Sequence, residues 1–94
     1  MHTEKAGRGH QVAGQFEEAA RLVAAEARRL DDLAGDIRRR VRDIRWSGRS
    51  AEHFRRHAAY QATRAEQNRE VLESLRILLT RAAQLTAAKP EARP

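Results

Sequence analysis

The chain reads as an all-α protein: a two-helix antiparallel hairpin with a Trp-x-Gly turn, expected to assemble as a four-helix bundle dimer. Three observations predict this. Two long stretches, about residues 15–44 and 50–86, carry apolar residues at alternating spacings of three and four. Between them lies Arg45-Trp46-Ser47-Gly48-Arg49, which holds the only tryptophan and the only glycine after Gly35. The chain has 94 residues, of which 34% are charged and only 4% aromatic. That composition suits exposed helices, and two helices alone cannot enclose a three-dimensional core.

Residues 1–14 are polar and rich in glycine, and are expected to form a disordered N-terminal arm. In the first helix Phe16, Ala20, Val23, Ala27, Leu30, Ala34, Ile37, Val41 and Ile44 follow an unbroken heptad. Alanine recurs every seventh residue at Ala20, Ala27 and Ala34, where small side chains let a facing helix approach closely. Gly35 within this helix costs about 1 kcal/mol relative to alanine, which packing must offset.

At the turn, Gly48 can adopt φ > 0 without a Cβ clash, and is expected to end the first helix and redirect the chain into the next. The large ring of Trp46 calls for apolar contact beside it. The second helix is predicted to place Ala51, Phe54, Ala58, Gln61, Ala65, Asn68, Leu72, Leu75, Leu79 and Ala82 on its seam. Gln61 and Asn68 are then either register-setting buried amides or positions where the seam meets solvent. From Val71 onward Val71, Leu78 and Leu85 add a second stripe, which calls for a second neighbour. Within this scheme Leu30, Ile37, Val41, Phe54, Leu72, Leu75 and Leu79 hold the hairpin. Trp46, Val71, Leu78 and Leu85 form the dimer face. The hairpin domain spans 15–88, and the Pro-containing tail 89–94 is expected to be disordered.

Heptad helices of this kind, a central Trp46-Ser47-Gly48, then Ala51 and Phe54, resemble the WXG family. These are helical hairpins related to the early secreted antigenic target of mycobacteria. The resemblance covers about residues 15–88. It implies a homo- or heterodimeric four-helix bundle, made in the cytoplasm and exported by a type VII secretion system without a cleaved signal peptide. It also implies partners: a second WXG-type protein, a larger secreted toxin, or the secretion ATPase. Family substrates often carry a tyrosine followed four residues later by an acidic residue, just after the second helix. Here the sole tyrosine, Tyr60, is followed by Arg64 within that helix, and residues 89–94 contain no such pair. Either a partner carries the export signal, which is the favoured reading, or this chain is not itself recognised by the secretion machinery.

Charge supplies a separate clue. Arg38, Arg39, Arg40, Arg42, Arg45, Arg49, Arg55 and Arg56 stand against only Asp43 and Glu52. This basic tip holds a net +6, equal to the charge of the whole chain. Arginines ending the first helix oppose its dipole, but those beginning the second do not. An acidic partner surface or phosphate groups would account for the excess.

Catalytic chemistry finds little support. No Gly-rich phosphate loop, nucleophile elbow or paired catalytic carboxylates are present, so no enzyme and no cofactor are expected. His53 and His57, spaced i, i+4, lack a third ligand and sit among arginines, so no metal site is expected. Glu17 with Arg21, and Arg28 with Asp32, are read as solvated helix pairs. Absence of cysteine excludes disulfides. No window reaches the length of a membrane span, and the first twenty residues hold no apolar signal core. Two other classes stay open. One is a basic helical nucleic-acid-binding protein, disfavoured because aromatics are not interleaved with the arginines and no helix-turn-helix spacing is visible. The other is a structural coiled-coil segment, which gives no reason for a central Trp-x-Gly turn.

Overall fold

A computed structural model describes the backbone of residues 2–88 and the side chains of residues 8–88. Two helices, α1 (His2–Arg42) and α2 (Arg49–Ala88), form a helical hairpin. Alanine, arginine, leucine and glutamate fill both helices, and these residues lose little freedom in a helix. Around α1's end the Asp43 amide is shared between the carbonyls of Arg39 (3.1 Å) and Arg40 (3.2 Å), and the Ile44 amide donates to Val41 O (3.2 Å). These bonds satisfy carbonyls that would otherwise be orphaned at the terminus. Arg39, Arg40 and Arg42 in the last turn oppose the helix dipole.

Packing between the helices falls into two compact units. One comprises Met1–Ala25 with Glu73–Pro94; the other is Glu26–Leu72, which contains the turn.

In the unit containing the turn, Ala34, Ala62 and Ala65 form the buried centre, with Leu30 and Ile37 packed against it. Ala27, Ala51 and Ala58 are buried as well. Two ion pairs bridge the helices here, Arg38 with Glu66 and Arg69 with Asp31. In the other unit Ala13, Ala20 and Ala83 are the buried residues, and Gly9 faces the carbonyl of Thr86. A Cβ on Gly9 would come to 3.6 Å from that oxygen, an ordinary contact with the opposite backbone.

Three sequence expectations are corrected. First, helix begins at His2 rather than near Gln15, so the arm assigned to 1–14 is helical from its second residue. Gly9 and Ala13 extend the same four-three spacing, and Ala13 is only 4% exposed. The glycines interrupted the composition but not the seam. The expected tail, 89–94, lies outside the described residues.

Second, α2's seam has a different register. Half of the predicted positions hold: Ala51, Ala58 and Ala65 are buried, and Leu72 and Leu79 half-buried. The alternate positions move on by one residue, to Arg55, Ala62, Arg69, Arg76 and Ala83, all half-buried or buried. Phe54 (45% exposed) and Leu75 (40%) lie outside the seam, and so do the exposed amides Gln61 and Asn68. Arginine takes these places because its aliphatic stem can cover apolar surface while its guanidinium reaches the edge. Arg76 Nε donates to Glu73 Oε1 at 3.0 Å in this way. Arg69 Nε is buried without a hydrogen bond, and lies 3.5 Å from Asp31 Oδ1.

Third, the surface pairs run i, i+3. Arg21 pairs with Glu18 and Arg29 with Glu26, instead of Glu17 with Arg21 and Arg28 with Asp32.

Candidate interaction surfaces

The turn is built by local bonds around Gly48. Its φ of +107° is a conformation that side-chain-bearing residues rarely adopt, while the space around its Cα is open. Gly48 does not terminate α1, which ends at Arg42; it starts α2, its carbonyl accepting from the Glu52 amide at 3.0 Å. Arg55 Nη2 donates to Trp46 O at 3.0 Å, and Arg55 Nη1 lies 3.3 Å from Glu52 Oε2. Because Arg55 occupies the seam, this bond ties the turn to the packed face of α2. The Trp46 and Phe54 rings meet at 6.1 Å between centroids, tilted by 46°. Trp46 nevertheless stays 49% exposed.

Three of the eight tip arginines have carboxylate partners. Arg38 bonds Glu66 through Nε (3.2 Å) and Nη2 (2.7 Å), Arg39 bonds Asp36, and Arg55 bonds Glu52. Among the described residues Arg40, Arg42, Arg45, Arg49 and Arg56 have none. They do not share one side. Arg40 borders a groove of about 230 Å³ with Ile37, Val41, Phe54, His57, Ala58 and Gln61. Arg42 borders another on the opposite flank, about 270 Å³, with Ile37, Arg38, Val41 and Ala59. Further along α2, Arg64 lies over the Tyr60 ring at 5.8 Å and donates to its hydroxyl at 3.0 Å.

In the unit without the turn, one flank is polar. Its groove, about 350 Å³, is bordered by Glu17, Arg21, Ala24, Arg76, Thr80 and Gln84, with Ala20 and Ala83 from the seam. Helical spacing then places Val12, Ala19 and Leu22 of α1, and Leu75, Leu78, Ala82 and Leu85 of α2, on the other flank. Gln15 falls among these side chains on α1, whereas the row on α2 is apolar and largely exposed, Leu78 at 60%. Of the expected dimer face, Leu78 and Leu85 lie here; Val71 and Trp46 are exposed members of the turn-containing unit. Sequence reasoning missed Leu22, because a lone leucine beside a good heptad gives no signal until the seam's rotation is known.

His53 and His57 are exposed, and the Gln61 amide donates to His57 Nε2 at 3.3 Å. No cluster of three metal-ligating side chains occurs among the described residues, and none of their helices is long and apolar enough to cross a membrane.

Fold and surfaces together define an all-α helical hairpin with an apolar flank and a basic turn. No family model, curated protein or solved structure matches the chain.

Proposed function

We propose that this chain is a non-enzymatic interaction protein of the WXG type, one half of a four-helix bundle that acts in type VII secretion. The observation that carries the reading is what the hairpin buries. Every buried residue among those described is an alanine, whereas Leu22, Leu75, Leu78 and Leu85 remain exposed along with Val71 and Ile77. A chain that fully buries only alanines and leaves most of its leucines exposed has much apolar surface left for a partner. A second hairpin laid on the apolar flank would complete a bundle of four helices. Trp46-Ser47-Gly48 supports the family reading: Gly48 holds a conformation suited to glycine, and Ala51 is fully buried where α2 begins.

The +6 charge favours an acidic hairpin as partner over a second copy. Light scattering on the protein alone, then mixed with a WXG-like protein encoded beside it, tests the reading. A stable dimer alone supports a homodimer; a monomer that becomes a 1:1 complex on mixing supports the heterodimer. A folded monomer that ignores its neighbour refutes the bundle.

A further inference from the structure

We propose that the turn is a binding site for single-stranded nucleic acid, with a base stacked on Trp46 and its neighbours' phosphates held by the surrounding arginines. The sequence alone argued against this, because no aromatics alternate with the basic residues. Folding supplies what the order of residues lacks. Phe54, eight residues beyond Trp46, is brought against it at 6.1 Å, and both rings keep about half their surface in solvent. An exposed aromatic pair is a stacking platform, and stacking tolerates any base because each has a π-face.

The positive charge around this platform is carried by arginines, which outnumber the carboxylates Asp43 and Glu52. A guanidinium presents a planar fork to two phosphate oxygens and stays charged at any physiological pH. Five such groups, Arg40, Arg42, Arg45, Arg49 and Arg56, are free of ion pairs among the described residues. Their placement selects the kind of polyanion. Arg40 and Arg42 border grooves on opposite flanks, while Arg45 lies in the turn and Arg49 begins α2. A flat lipid surface would meet only part of this set. A flexible strand can pass over the end and reach both flanks.

The groove beside Phe54 sharpens the inference. Ile37 and Val41 give it an apolar wall, and Arg40, His57 and Gln61 line its polar side. At about 230 Å³ it is smaller than a drug-sized pocket and suits a single planar ring. The Gln61 amide nitrogen donates to His57, which leaves its carbonyl oxygen able to accept from a base N–H such as the N3–H of thymine.

Trp46, the only tryptophan, is its own reporter. The probe is a labelled oligothymidylate of about 12 nucleotides, followed by anisotropy, with Trp46 emission read in parallel. Binding should quench Trp46. With five phosphates neutralised, affinity should fall about 100-fold between about 50 and 200 mM NaCl. Arg45→Gln with Arg49→Gln should flatten that salt dependence to about three-fifths of its slope. Trp46→Leu should weaken binding at least about 5-fold at unchanged helix content.

Four results would overturn the proposal: no binding at the lower salt, equal affinity in both variants and wild type, a duplex bound as tightly with unchanged Trp46 emission, or phosphatidylserine vesicles bound where the oligonucleotide is not. Assembly of the bundle is read separately by light scattering, so either inference can fail without the other.

Discussion

The register of α2 can be tested with two neighbouring substitutions, Ala62→Leu and Gln61→Leu. Ala62 is 0% exposed and packs in one cluster with Ala34 and Ala65, flanked by Leu30 and Ile37. Leucine there adds three carbon atoms to a seam filled by methyl groups. Overpacking of this kind costs about 1–3 kcal/mol. For a chain of 94 residues each kcal/mol shifts Tm by about 4–8 °C, so Ala62→Leu should melt roughly 5–20 °C lower. Gln61 is exposed, and Gln61→Leu should stay within about 0.5 kcal/mol of wild type. Had Gln61 been a seam position, the order would reverse: leucine would replace a buried amide and stabilise, while Ala62→Leu would sit harmlessly in water. Thermal unfolding followed by circular dichroism at 222 nm, at fixed protein concentration, measures both. An Ala62→Leu protein that melts with wild type would refute the alanine seam.

Other substitutions address other parts of the molecule. Leu78→Asp should weaken assembly about 30-fold, the equivalent of about 2 kcal/mol for one buried leucine, as measured by sedimentation across a concentration series. An undiminished association would remove this flank from the interface. Gly48→Ala has room for its methyl group but not the backbone conformation, so it should cost about 1–3 kcal/mol in chemical denaturation. Arg69→Met replaces a buried, unbonded Nε by a thioether and should leave stability unchanged or raise it; a loss above about 1 kcal/mol would show that the Asp31 pair matters more than its 3.5 Å geometry suggests. Arg38→Ala breaks a two-point bond to Glu66, yet both groups are more than two-fifths exposed, so the change should remain below about 1 kcal/mol and vanish in high salt.

Much of this hairpin was legible in the order of its residues. α1's seam was read from spacing alone, since Phe16, Ala20, Val23, Ala27, Leu30, Ala34, Ile37 and Val41 are all buried or half-buried. Two helices and the turn between them also followed, from heptads on either side of Trp46-Ser47-Gly48. The start of α1 did not. Gly7, Gly9 and Gly14 read as breakers, but contact with α2 at Thr86 and burial of Ala13 accompany the helix through them.

What the sequence by itself determined was where helices run and where the chain reverses, because propensity, periodicity and a backbone conformation suited to glycine are local properties. How α2 is rotated about its axis was decided only by the tertiary structure. Adjacent residues differ by about 100° around a helix, and α2 carries two neighbouring stripes that share the three-four rhythm. Apolarity favoured the stripe with Phe54 and Leu75; burial went to the one with Ala62 and Ala83, with arginine stems between them. Small residues facing the alanines of α1 permit the close approach, and that fit is a property of the pair, not of either helix alone. The same rotation turns Leu75, Leu78 and Leu85 outward and sets Phe54 beside Trp46, which is how one packing decision creates both candidate surfaces.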